Sequence, residues 1–561
     1  MYNIPRGFTI ATFLGLLTVY MVGLFVPDLM EVDASQYASI SMEMAQTNSF
    51  LEVFHLENNY LDKPPLLFWL GAIFIKIFGI NHFAYRLPTF ISTLLGVYAT
   101  YKLGKRLYNH NTGVISAILL ASSQIYILHN HDVRTDTLLT NFVIIAIWQG
   151  VCYLQTKKIS HFLWAFISVG LAMTAKGPIG VVVPVMAIGT HLLYQRDWKN
   201  IFNWRWILGG GIALLVLTPM LWGLYTQFDL NPEASVNGRV GVSGLRFFFW
   251  EQSFGRITGE NVWKDDSSYF FFTHNYLWEF LPWSLIGIFA LWGKIKQMIN
   301  AKFQPMANFE LYTFGGFVFP FIALSTSHYK LPHYIMVIMP MAAIFTAGYI
   351  DQLLKKSGEK PFITFKWVQL VFSILIGFLV LFILYWVFPA THAFWWIIPL
   401  GIFGFISFAI IKSNPVVKLL GPSLVAVVGT NIMMNGYFYP QMNQYQSGRV
   451  MADWIVKHDL GVDDFVAYGK HYHVINFYSK EYRFHHWANA NYIREKTKTQ
   501  DLYLFTSQDG ISSLKKSNIT YQVIENLYNF PNTELTGEFL NPNTREKALE
   551  KLYIVKVEKQ N

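Results

Sequence analysis

Among 561 residues there is a single cysteine, Cys152, which excludes an internal disulfide framework and a cysteine-rich metal centre. Charge is scarce as well. Only 14% of residues are Asp, Glu, Lys or Arg, and 53% are hydrophobic, whereas a soluble domain carries about 25% charged residues. Such a chain cannot cover its surface with polar groups, so lipid is its main solvent. Nucleic-acid motifs and zinc-ligand spacings are missing, so the net charge of +9 does not signal a nucleic-acid partner. Lysines and arginines fall mainly in short gaps between apolar runs, the positive-inside pattern of membrane proteins. No internal repeat is present, which disfavours the inverted-repeat transporters. The first apolar run follows Arg6 and ends at Pro27-Asp28-Leu29-Met30. That is no small-residue cleavage site, so an uncleaved first helix is expected.

Runs long enough to span a bilayer, about 17 residues or more, lie near 8–26, 83–101, 113–129, 137–155, 160–174, 178–194 and 205–225. Others lie near 275–293, 309–326, 333–350, 366–388, 393–411 and 416–434. Threading these thirteen spans puts Lys102, Lys105, Arg106, Lys157, Lys158, Arg196, Lys199, Lys294, Lys296 and Lys302 on one side. The loops with Lys355, Lys356, Lys360, Lys412 and Lys418 join them there, and that side is expected to be cytoplasmic. The apolar stretch from Leu66 to Ile80 is too short and carries Lys76. An interfacial helix keeps the parity consistent.

Aromatic residues reach 17%, in keeping with anchoring at two membrane–water interfaces. After about Asn435 the composition turns polar and alternates between strand and helix patterns, in DFVAYG, HYHVINFYSK, DLYLFTS, GISSLKK, YQVIENL and LYIVKVE. The expected architecture is therefore an all-α polytopic membrane domain, 1–435, followed by a small α/β domain, 436–561, on the far side of the membrane. The latter lacks a Gly-rich phosphate fingerprint, which argues against a nucleotide site there.

The non-cytoplasmic loops collect the acids and bases. Asp33 follows the first helix, and Asp136 precedes another apolar run; each is a candidate base or a helix cap. Lys63 stands before Pro64-Pro65, on a loop that the prolines stiffen. There it meets either a lipid-borne phosphate or ordinary headgroups. Arg86, Lys176, Arg256 and Lys330 sit at or just inside the same boundary, where charges are costly and tend to be functional. Cations gathered at membrane level hold a phosphate, and a carboxylate beside them takes a proton from a hydroxyl. Together they allow a sugar to pass from a lipid phosphate to an acceptor. A transporter or flippase of lipid-linked sugars is the rival class, but it needs polar groups through the full membrane depth.

These residues resemble the C-type (GT-C) membrane glycosyltransferases, specifically the superfamily of aminoarabinose transferases (ArnT-like) and protein O-mannosyltransferases. The resemblance rests on VDASQYA, YLDKPPLLFW, FGINHFAYRLP, VRTDTLLT, TAKGPIG, FFFWEQSFGRI and SHYKLPHYIMVIMP, in that order and on one membrane side. It implies a catalytic role for Asp33, with Asp136 as the second outer carboxylate. It also implies contacts to a polyprenyl phosphate from Lys63 and places Lys176, Arg256 and Tyr334 in the site. The implied donor is an undecaprenyl-phosphate-linked sugar used at the periplasmic face of a bacterial inner membrane. The implied acceptor is lipid A or another glycolipid, with protein O-glycosylation as the alternative. The chain departs from the family pattern Asp-Glu-x-Arg-Tyr-Ala at Ala34 and Gln36. Asp62 and Gln252-Ser253 stand where the aminoarabinose branch has Glu and a Glu-His pair. No cofactor is firmly expected, and a divalent metal is left open.

Overall fold

The computed structural model describes residues 2–252, 255, 268–306, 309–412, 414–484, 488–531 and 535–559. Every apolar run singled out in the sequence is helical. The first half of the chain forms α1 (Arg6–Phe25), α2 (Asp33–Thr47), α3 (Leu66–Phe78) and α4 (His82–Leu107). It continues with α5 (His110–Ala121), α6 (Gln124–His131), α7 (Thr135–Thr156), α8 (Ile159–Lys176) and α9 (Ile179–Tyr194). Among the described residues, eight helices are long and apolar enough to cross a membrane, or nine when α5 and α6, bent by 52°, are taken as one span. The protein is a multi-pass, mostly helical membrane protein.

The four other expected spans are helical too, but each is polar, short or broken. α4 has ample length yet carries Arg86, Lys102, Lys105 and Arg106. α9 has 16 residues and Tyr312–Ser325 has 14. The run near 275–293 splits around Pro282 into Phe271–Glu279 and Ser284–Asn300, because proline cannot continue the helical hydrogen bonding.

The segment expected to lie in the interface folds as α3, whose 13 residues fall short of the ~20 needed to span. It packs closely on α2. A Cβ at Gly71 would stand 2.6 Å from the Ser41 hydroxyl, so the two helices approach with no room for a side chain there. Two short hairpins flank this region, β1 (Phe54–His55) with β2 (Asn58–Asn59), and β3 (Ser235–Val236) with β4 (Arg239–Val240).

The last span runs on from Pro415 to Asn443 before the chain enters a four-stranded sheet. Its strands are β5 (Phe465–Tyr468), β6 (Leu502–Ser507), β7 (Gln522–Asn529) and β8 (Glu550–Val557), in the order β5-β6-β8-β7. β5 and β6 are parallel and the other pairs antiparallel. These strands and the helices His473–Ser479 and Gln508–Lys516 fall on the segments whose alternation marked them.

This α/β unit is latched to the loop after α1. The Glu31 carboxylate accepts the Val474 amide at 2.6 Å, and the Tyr478 hydroxyl accepts the Leu29 amide at 2.8 Å. The Ser39 hydroxyl donates to the His473 carbonyl at 3.0 Å, and Arg449 pairs with Asp28 at 3.3 Å. The sheet domain thereby fixes the same loop that delivers Asp33.

Candidate active site

Helix ends place the candidate residues together at one end of the bundle. The loop after α1 leads into α2, whose first residue is Asp33. Arg134, in an extended conformation, caps the start of α7, and Asp136 lies in its first turn, where the helix dipole favours a negative charge. α8 ends at Lys176 because Gly177 adopts φ 95°, a conformation that strains any residue with a Cβ. Pro178 then starts α9. The TAKGP stretch is thus a helix stop that presents a lysine at a C-terminus, the favourable end for a cation.

Two ionic clusters result. In the first, Arg134 donates to both Asp33 and Asp132, at 3.2 and 3.0 Å for the two bonds to Asp132. The side chains of Arg134, Asp132 and Asp33 are 16%, 15% and 30% exposed, so water screens this cluster only partly. Burial alone raises the Asp132 carboxyl, but the Arg134 guanidinium and His129 outweigh it and hold the group below the usual carboxylate range. Burial pulls Arg134 down, and Asp132 and Asp33 more than reverse that. In the second cluster, Lys176 donates to Asp136, and His333 lies 3.7 Å from the other carboxylate oxygen. The Lys176 ammonium also stands 3.9 Å from the centre of the Tyr334 ring, within cation–π range. Tyr37, buried one turn into α2, feels the charges of Asp33, Arg134 and Asp136 and so stands between the clusters.

A cavity of about 1120 Å³, counted out to its open mouth, begins at the second cluster. Lys63, Asp136, Lys176, Gln252, Ser327 and Tyr334 form its polar wall. The remainder is apolar, with Ile179, Val182, Val183 and Met186 on α9 and Pro320, Ala323 and Leu324 on the facing helix. Lys63 and Gln252 also border a smaller cavity beneath the Pro64-Pro65 loop, reaching Tyr60 and Gln227. A charged end joined to an apolar trough fits an amphiphile with an anionic head. The cavity wall itself carries two lysines, Lys63 and Lys176, against the single carboxylate of Asp136, while the adjoining cluster sets Asp33 and Asp132 against Arg134.

Of the residues singled out in the sequence, Lys63, Asp136, Lys176 and Tyr334 share the cavity, and Asp33 stands in the adjoining cluster. Arg86 does not join them. It is fully buried and donates to the carbonyls of His131, Pro27 and Asp28 at 2.8, 2.6 and 3.1 Å. Its guanidinium staples the loop after α1 to the end of α6, and these contacts are structural. Lys330 is buried to one side, donating to the Ser268 carbonyl at 3.3 Å and lying over the Tyr269 ring at 5.4 Å. Arg256 lies outside the described residues.

Arg134, Asp132 and His333 were not singled out, although Arg134 and His333 stand inside the quoted motifs VRTDTLLT and SHYKLPHYIMVIMP, and Asp132 directly precedes the first. Position 36 of α2 holds Gln where the resembled pattern has Arg, and the guanidinium at Asp33 comes from Arg134. Gln252 donates to the Asp62 carbonyl, and the Asp62 carboxylate accepts from Asn237 at 2.8 Å. Among the described residues no group of three or more His, Cys, Asp or Glu side chains has the geometry to hold a metal ion.

The arrangement of spans, outer loops and appended α/β domain is the fold of the C-type membrane glycosyltransferases. Over 98% of both chains, the structure matches ArnT from Cupriavidus metallidurans, solved bound to undecaprenyl phosphate, with a TM-score of 0.74 at 17% sequence identity. Residues 62–222 match the family model described as dolichyl-phosphate-mannose-protein mannosyltransferase. The chain is also similar to the undecaprenyl phosphate-alpha-4-amino-4-deoxy-L-arabinose arabinosyl transferase of Edwardsiella ictaluri, at 25% identity over 64% of this chain and 62% of the relative. The enzyme of the same name (copy 1) from Pseudomonas fluorescens Pf-5 is 26% identical over 64% of this chain and 61% of its own length. The aligned part thus spans less than two thirds of each of these relatives. In fold and in sequence the chain is ArnT-like.

Proposed function

We propose that this protein is a membrane glycosyltransferase that moves a sugar from an undecaprenyl-phosphate carrier to lipid A or a related envelope glycolipid, at the periplasmic face of the inner membrane. The observation that carries the proposal is the cavity whose apolar trough ends at Lys63, Lys176, Tyr334 and Asp136, beside the Asp33 cluster. The trough suits a polyprenyl chain, and the charged end suits its phosphate. The names of the relatives and the fold support the same donor class.

In this reaction Asp33 accepts the proton of the acceptor hydroxyl. The freed oxygen bonds to the anomeric carbon while the bond from that carbon to the phosphate oxygen breaks. The electron pair leaves with polyprenyl phosphate, whose growing charge is stabilised by the Lys63 ammonium and the Tyr334 hydroxyl. Asp136 neutralises Lys176 and keeps it at the cavity wall. A protein acceptor is the second reading, favoured by the family model matched at residues 62–222.

The deciding experiment supplies the purified protein and native envelope extract with polyprenyl-phosphate-linked radiolabelled sugar. Label partitioning with glycolipid supports the proposal, and label fixed in protein shifts it to the second reading. Transfer of the intact lipid-linked sugar between leaflets of a vesicle, with no bond cleaved, would identify a flippase.

A further inference from the structure

Arg134 occupies an unusual position for a residue next to a base. Its Nη1 donates to Asp33, while Nε and Nη2 both donate to a single oxygen of Asp132. The three side chains come from the start of α2, the turn after α6 and the cap of α7, so the guanidinium ties together three elements that meet at this end of the bundle. A lone Arg–Asp pair makes a poor base. When the aspartate takes up a proton the arginine is left unpaired, and an uncompensated charge at such a depth is strongly unfavourable. Here the cluster holds two carboxylates and one guanidinium, a net charge of −1. One carboxylate can be neutralised and an intact ion pair still remains.

We propose that Arg134 is the positioning residue for Asp33 and that Asp132 is the standing counter-ion of Arg134, so that Asp33 changes charge during turnover without stranding a buried guanidinium. This rests on the reading above, in which Asp33 takes the acceptor's proton. Arg134 orients the Asp33 carboxylate, and Asp132 takes the larger share of the guanidinium's hydrogen bonds. The division of labour follows from the geometry: Asp132 takes two of the three bonds and is the less exposed carboxylate, while Asp33 takes one and is the more exposed. The strong hold of Arg134 on Asp132, which keeps that carboxyl below its usual range, fits a permanently ionised counter-ion.

Other titratable groups face the cluster. Tyr37, Tyr60 and Tyr85 feel the Asp33 charge, but phenols ionise near pH 10 and do not shape an acidic limb. His129 and His131 act on Asp132, and His333 feels Arg134. Asp132→Asn also removes the carboxylate beside His129, so each variant is measured in a His129→Gln background as well, which separates that contribution from the displacement of the limb.

The test is the pH dependence of single-turnover sugar transfer by the full-length purified chain, from pH 4.5 to 8, with a polyprenyl-phosphate-linked sugar as donor. Loss of a neighbouring cation makes a carboxylate easier to protonate, and a stronger pairing makes it harder. In Arg134→Ala the acidic limb therefore moves to higher pH, the rate falls by about 100-fold from lost orientation, and donor affinity stays within about two-fold. Added guanidinium restores part of that rate. Arg134→Lys returns the limb toward its wild-type position with a lower plateau, since charge is kept and the fork is lost. In Asp132→Asn the limb moves the opposite way, to lower pH.

Limbs that move together or stay put in folded variants would overturn the proposal. If Asp132→Asn does not fold, guanidinium rescue of Arg134→Ala decides alone: rescue supports the proposal, and its absence in protein that still binds donor refutes it. Failure of the underlying reading shows separately, as absence of transfer by the wild-type chain, and removes the basis of both.

Discussion

Replacing Lys176 by methionine removes the charge that balances Asp136 while keeping most of the apolar stem. The Asp136 side chain is only 2% exposed and Lys176 is 12% exposed, so water does not take over the lost interaction. His333 at 3.7 Å is beyond hydrogen-bond distance and does not replace it. Breaking a buried pair from one side costs about 3–5 kcal/mol, most of it from the charge left behind. Lys176→Met should therefore melt well below wild type in detergent, and Asp136→Asn should restore much of the loss when added to it. The coupling energy from the four-member cycle should reach about 2 kcal/mol, inside the range for contacting residues. Thermal unfolding followed by tryptophan fluorescence, without any substrate, reads all four proteins. A Lys176→Met protein as stable as wild type, or stability losses that simply add, would refute the claim that these two charges hold this end of α7 and α8 together.

Lys63→Ala should weaken binding of a polyprenyl-phosphate donor by about 10- to 100-fold, the worth of one charge-assisted hydrogen bond, with Lys63→Arg retaining part. Unchanged binding by isothermal titration would leave only the headgroup contact for this lysine. Arg86→Ala should lower the melting temperature, because three buried carbonyls lose their donor, while the folded fraction binds donor normally; weaker donor binding at wild-type stability would return Arg86 to the site. Burial raises the Glu31 carboxyl to about 8, so the latched state holds a proton that the released state gives up. The latch is therefore at full strength at low pH and weakens as pH rises through 8. Corrected for intrinsic base catalysis, hydrogen exchange of helix His473–Ser479 should quicken between pH 6.5 and 8, where burial already keeps the neighbouring His55 and His471 neutral. Glu31→Gln should flatten that slope, and an unaltered slope would assign it to another group.

Much of the fold was legible because lipid imposes simple rules. Each apolar run must satisfy its own backbone, so it becomes a helix. The strands of the C-terminal sheet were equally plain, since FVAY, LYLFTS and LYIVKV are β-branched and aromatic segments bounded by turns. What the pattern concealed was the quality of individual spans. Tyr312–Ser325 and α9 are short, and Pro282 breaks another, because packing against neighbouring helices compensates for length in ways a hydropathy run does not register.

At the cavity, Lys63 and Lys176 had been singled out from their charge on the outer loops, and Tyr334 from the family resemblance alone. For Arg86 the sequence could not tell the two environments apart, because a cation at a membrane boundary reads the same whether it faces a phosphate or three carbonyls. Arg134 was overlooked because its partners, Asp33 and Asp132, are brought to it from separate elements, and only tertiary structure shows the pairing.

The central claim is that Asp33 activates an acceptor beside a phosphate held by Lys63 and its neighbours. Single-turnover release of polyprenyl phosphate from a labelled polyprenyl-phosphate sugar, measured for wild type, Asp33→Asn and Asp136→Asn alongside donor binding, tests it most directly. The account predicts that Asp33→Asn binds donor normally and turns it over about 10²- to 10⁴-fold more slowly, the usual contribution of a general base. Release at the wild-type rate by Asp33→Asn with loss in Asp136→Asn would move the base to Asp136, and wild-type release by both would contradict a carboxylate mechanism altogether.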